Sequence, residues 1–137
     1  MPCQRPDSNA SFGIYLDYYT QRAEISQNRL AACARLNQSY LNKIANGKLK
    51  NVPIEALVNI CLALRLSGDE AKDLLARKER ALSPANPAHQ VYTELIDEYH
   101  QREIDYKKDM EVANFLLMAD KRLCDRGFPQ LPDADRG

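Results

Sequence analysis

The stretch from Ser26 to Gly47, SQNRLAACARLNQSYLNKIANG, constrains this chain more tightly than any other. Ser26 suits a helix N-cap, and Leu30, Ala31 and Ala34 follow it at helical spacing. A break at Ala34 to Asn37 comes next, and Asn37 can cap a second helix. That helix runs roughly from Gln38 to Asn46, buries Leu41 and Ile44, and stops at Gly47, which supplies a left-handed C-cap without a Cβ penalty. Leu30, Ala31, Leu36, Leu41 and Ile44 form the hinge core, and Ala31 has to be small where the two helices cross. A short helix, a tight turn and a second helix with a polar outer face make a helix-turn-helix.

The remainder reads as helical too. Alternating runs of Val, Ile and Thr are missing from the 137 residues, and 45% of the chain is hydrophobic, enough for a packed all-α fold. Ser11 suits the N-cap of a first helix carrying Phe12, Leu16 and Tyr19. Pro53 opens a fourth helix with Ile54, Leu57, Val58, Cys61 and Leu64 on its core face. Ser67 and Glu70 form a capping box for a fifth, which continues through Leu74 and Leu75. The expected organisation is a disordered arm at 1–10, a five-helix bundle at 11–82 and a linker at 83–87, SPANP. A helical region at 88–126 and a frayed tail at 127–137 follow.

Formal charge is zero overall but unevenly spread. Residues 1–80 carry 12 Lys/Arg against 8 Asp/Glu, and residues 81–137 carry 7 against 11. Between Arg22 and Lys50 there are six basic residues (Arg22, Arg29, Arg35, Lys43, Lys48, Lys50) and one acidic residue, Glu24. Positive charge gathered on the helix-turn-helix is the electrostatic footprint expected of a phosphate-binding surface.

Taken together, Ser26-Gln27, Leu30-Ala31, Ser39-Tyr40-Leu41, Lys43-Ile44 and Asn46-Gly47-Lys48 resemble the Cro/Xre family of lambda-repressor-like regulators. Pro53-Ile54, Leu57 and Ala63 to Ser67 resemble that family's fourth helix and the cap of its fifth, so the likeness covers about residues 11–80. The resemblance implies a five-helix bundle, sequence-specific binding of double-stranded DNA, and a dimeric transcriptional regulator, usually a repressor. It implies base reading by Gln38, Ser39, Asn42 and Lys43, since amides pair with adenine edges and lysine with guanine or phosphate. It assigns phosphate contacts to Gln27, Arg35, Tyr40, Lys48 and Lys50. Two positions depart from the pattern. Arg35 stands where the family's turn usually has Gly, so a left-handed residue there is mildly strained, and Ala45 replaces a frequent glutamate.

From Ala88 to Arg126 there is neither Gly nor Pro. Ten positions at spacings of four and three (Tyr92, Ile96, Tyr99, Glu103, Tyr106, Met110, Ala113, Leu117, Asp120, Cys124) form a heptad seam interrupted by Glu103 and Asp120. An unbroken helix of that length would be a rod of about 58 Å, too long for the bundle to cover. The favoured expectation is therefore a homodimer seam made by Tyr92, Ile96, Tyr99, Tyr106, Met110, Ala113 and Leu117. The alternative is a bend near Lys107-Lys108-Asp109 that folds the segment back as a hairpin.

A rival function is an interaction or inhibitor protein, of antitoxin or phage anti-defence type, that meets a protein partner through its acidic C-terminal region. Catalysis has no support: there is no Gly-rich phosphate loop, no nucleophile beside a histidine and no evident carboxylate pair. Cys3, Cys33, Cys61 and Cys124 are far apart and His89 and His100 lack partners at ligand spacing, so neither a metal nor a cofactor is expected. Cys33 and Cys61 read as small core residues and both histidines as surface residues. No stretch reaches the roughly 18 apolar residues of a membrane span and the start lacks a signal peptide's apolar core, which leads to an expectation of a cytoplasmic protein.

Overall fold

A computed structural model describes residues 4–134. Every N-cap that the sequence marks with a Ser or Asn is formed. Ser11 opens α1 (Phe12–Arg22), Ser26 opens α2 (Gln27–Cys33) and Asn37 opens α3 (Gln38–Ala45), each side-chain oxygen accepting a backbone N–H of its helix's first turn. Pro53 precedes α4 (Ile54–Ala63), and the Ser67–Glu70 capping box closes on α5 (Gly68–Ala76). Asn86 caps α6 (Pro87–His100), whose first residue is the proline. Two short helices follow, α7 (Asp109–Asn114) and α8 (Leu117–Asp125). Among the described residues there is no strand, and the all-helical expectation holds.

The C-termini share one device. In α1, α2, α3, α4 and α8 the first residue past the cap is left-handed, in α5 the second, and in each case paired backbone bonds run back into the last turn. At α2, for example, the Leu36 N–H donates to Ala31 at 2.9 Å and the Arg35 N–H to Ala32 at 3.2 Å. Gly47 and Gly127 fill two of these positions; Glu24, Arg35, Arg65 and Glu79 fill the other four at φ between 54° and 60°.

The first five helices pack as the helix-turn-helix pattern requires, with α3 against α1 and α2. Gly13 explains how close α1 comes: a Cβ there would lie 2.2 Å from the Ala45 carbonyl oxygen. The region after residue 86 departs from the favoured expectation. It is not one rod. The helix stops at His100, the chain turns through Gln101 to Lys108, and α7 and α8 return to the body, close to the expected bend. α6 covers α4 and α5, α7 lies on α2, and α8 lies on α6. Ion pairs Arg122–Glu98 (2.8 Å) and Arg126–Glu94 (2.7 Å) stitch α8 to α6. One hydrophobic cluster runs from Phe12 to Leu131 across the 83–87 boundary.

This folding-back corrects the dimer seam. Tyr92, Ile96 and Tyr99 are buried in the chain's own core, and the Tyr99 hydroxyl donates to the Phe115 carbonyl at 3.0 Å. Tyr106 is half-buried, its hydroxyl donating to Ala63 at 2.6 Å. These four are occupied because residues of α4, α5, α7 and α8 cover the seam that a mate would have covered. Met110, Ala113 and Leu117 remain exposed. The termini also differ from expectation. The Tyr15 hydroxyl donates to the Pro6 carbonyl and Arg77 donates to those of Ser8 and Ala10, so residues 6–10 are held rather than free. At the other end Leu131 is fully buried, so the described part of the tail is docked, not frayed. Cys3 and residues 135–137 lie outside the described residues. Both histidines are at least partly exposed, and Cys33 and Cys61 are buried, where desolvation pushes each thiol up to about 12.

Candidate nucleic-acid interface

Amphipathicity decides which face of α3 is free. Leu41 and Ile44 point into the core at 0% exposure, which turns Gln38, Ser39, Asn42 and Lys43 outward. Asn37 fixes the start of the helix by accepting the Ser39 N–H at 2.8 Å. At its far end the Asn46 side-chain amide donates to Asn42 Oδ1. Across from these residues, α2 begins with Gln27 and Asn28, both exposed. Gln27, Asn28, Gln38, Ser39, Asn42, Lys43 and Lys48 line one open concavity. All four expected base-reading residues and two of the five expected phosphate contacts are therefore brought together.

Asn28 was not expected. The signal for it was available, since it adjoins Gln27 at the start of a short helix whose later positions are apolar. Lys50 is exposed in the loop after α3, outside the concavity. That loop is tied down where Lys78 Nζ donates to the Leu49 carbonyl at 3.1 Å. Tyr40 is half-buried against the core, and burial raises its hydroxyl above the ordinary value.

Arg35 is corrected. Its side chain points inward, with 8% of the residue exposed, and cannot meet a phosphate at the surface. Its guanidinium instead forms a two-pronged pair with Asp120 of α8 at 2.5 and 2.9 Å. Arg22 and Arg29 are also matched to carboxylates, Glu70 at 2.6 Å and Asp109 at 2.8 Å. Of the six basic residues between Arg22 and Lys50, the three arginines thus hold the fold together. The three lysines 43, 48 and 50 are exposed and in no ion pair among the described residues. The positive field that faces outward comes from these lysines beside a row of amides and hydroxyls. That combination can bond phosphate oxygens and base edges at once.

Residues 16–75 match the family model of the Cro/C1-type helix-turn-helix DNA-binding domain. The chain carries a Cro/C1-type DNA-binding domain. No curated protein and no solved structure matches the chain. The matched segment runs from within α1 to within α5, so it contains α2, the turn and α3 entire. The Cro/C1-type domain stops short of α6, and the C-terminal 62 residues lie outside the match. Among the described residues no helix is long and apolar enough to cross a membrane.

Proposed function

We propose that the protein is a sequence-specific regulator, a repressor, that occupies double-stranded DNA through α3. The observation that carries this reading is the concavity in which Gln38, Ser39, Asn42 and Lys43 stand exposed beside Gln27 and Lys48. Carboxamides of Gln38 and Asn42 offer a donor and an acceptor to adenine edges, and Lys43 donates to guanine or to phosphate. Gln27, Tyr40, Lys48 and Lys50 set the register on the backbone. A repressor needs no further chemistry than to fill its site.

The same reading includes a homodimer, with an interface smaller than the full seam. Met110, Leu117 and Met118 are 75%, 50% and 59% exposed and, with Ala113, form an outer strip on α7 and α8. The patch is small beside a standard interface, so the dimer is expected to assemble mainly on DNA. A role centred on an acidic protein-binding face is less well supported, because Glu94 and Glu98 are already paired with arginines.

Fluorescence anisotropy against duplex from the gene's own upstream region, at two salt concentrations, tests the DNA reading. Tight, salt-sensitive binding is expected, and a Gln38→Ala, Lys43→Ala double variant should lose the preference over random duplex. Equal affinity of the native chain for both duplexes would refute it. Light scattering with and without DNA tests the dimer, and Leu117→Glu should leave a single chain on a duplex where the native protein puts two.

A further inference from the structure

The turn between α2 and α3 fixes the angle at which α3 is presented, and in this chain it is gripped from three sides. The Arg35 guanidinium, besides its two bonds to Asp120, donates to the Leu131 carbonyl at 3.2 Å. The Arg35 carbonyl accepts the Ala134 N–H at 2.9 Å. One residue earlier, the Ala34 carbonyl accepts Asn59 Nδ2 at 2.9 Å, and the same amide donates to Pro132 at 2.8 Å. Asp120 in turn accepts the Leu131 N–H at 3.0 Å. Arg35, Asn59, Asp120 and Leu131 are all buried. The grip thus comes from α4, α8 and the C-terminal tail, the last two outside the matched domain.

Geometry makes such a turn consequential. α3 has eight residues, so it is about 12 Å long, and a tilt of about 10° at its first turn moves its far end by about 2 Å. A hydrogen bond to a base edge tolerates only about half an ångström. Contacts to phosphates by flexible lysines tolerate far more.

We propose that Asp120 is a positioning residue for base reading: through Arg35 it sets the angle of the recognition helix, without itself meeting DNA. The C-terminal region is thereby a working part of the DNA-reading unit. This rests on the DNA-binding reading above. The coupling predicts a split in effect. Loosening the grip lowers affinity for the preferred duplex and spares affinity for random duplex, which depends on the lysines.

The test uses the full chain, first selecting its preferred duplex from a random pool. Asp120→Glu keeps the charge but lengthens the arm by one methylene, and so displaces Arg35. It is expected to bind the selected duplex at least ten-fold more weakly, with random-duplex affinity within about two-fold of the native chain. Ala134→Pro deletes the N–H that holds the Arg35 carbonyl, at an exposed tail position, and should lower selected-duplex affinity about three-fold. Circular dichroism melts establish that each variant is folded. A folded Asp120→Glu chain with undiminished selectivity would overturn the proposal. Should that variant not fold, undiminished selectivity in Ala134→Pro would overturn it instead. Failure of the native chain to select any duplex would remove the DNA reading itself. Selection by native and variant chains alike would remove only the coupling.

Discussion

Glu24, Arg35, Arg65 and Glu79 occupy the same backbone region, each just past the end of a helix, yet they are not equivalent. A left-handed residue with a Cβ costs about 1–2 kcal/mol, which glycine avoids at some entropic cost. At Glu79, which is exposed, nothing offsets that strain, so Glu79→Gly is expected to raise stability by about 0.5–1 kcal/mol. Arg35→Gly relieves the same strain but strands Asp120 as a buried carboxylate, and should cost about 3–5 kcal/mol. Urea unfolding checks both, the midpoints moving in opposite directions. The turn position was legible in the sequence as a departure from the family's glycine. The reason for it was not, because Asp120 lies 85 positions away. Separations of 48 and 80 positions likewise hid the ion pairs of Arg22 and Arg29, which made the whole basic segment look like an outward phosphate-binding footprint. Cys33 and Cys61, read as core residues, should resist iodoacetamide at neutral pH until the chain unfolds, as peptide mass spectrometry would show.

At the scale of elements, the first five helices follow from local chemistry. Caps at Ser11, Ser26, Asn37 and Ser67 act within three residues of themselves, so sequence alone locates them. Packing between elements is less legible. Nothing near Gly13 announces that α1 meets the end of α3 there, yet Gly13→Ala would drive a methyl into the Ala45 carbonyl. A loss of about 1–3 kcal/mol is expected, read as a lower Tm. Between α1 and α5, Arg22 holds the Glu70 carboxyl below its ordinary 4.5, helped by the Ser67 N–H. A lowered carboxylate contributes stability that is present above pH 4.5 and is lost as pH falls through its folded value. Glu70→Gln should therefore flatten the decline in stability just below pH 4.5, measured by denaturation at stepped pH. The C-terminal seam was legible as an apolar face, but periodicity does not say what covers it. The helix stops because residues 101–108, which hold Arg102, Glu103, Asp105, Lys107 and Lys108, offer few apolar side chains to the body.

For the whole molecule, a common core joins the DNA-binding domain to the region that follows it. Two predictions belong here. The full chain should melt in one cooperative step, whereas a chain ending at residue 86, with the faces of α4 and α5 that α6 covers laid open, should lose that cooperativity in calorimetry. The three outward lysines near α3, Lys43, Lys48 and Lys50, also bound the salt dependence. If these three reach phosphates in both copies of a DNA-bound dimer, the logarithm of the binding constant should fall against the logarithm of salt with a slope of about −5. Each of Lys43→Ala and Lys48→Ala should remove about one unit per site contacted. A slope nearer −10 would mean that the arginines contribute after all.

By itself the sequence determined the helices of the DNA-binding domain, their caps, the outward face of α3 and the likeness of that segment to a Cro/C1-type domain, because those rest on neighbours within a turn or two of helix. Tertiary structure decided what the remaining charges and apolar faces are for. Coulomb pairing and burial act between residues that are distant along the chain. Only the folded arrangement could turn a basic turn residue into an internal anchor and a dimer seam into the second half of one core.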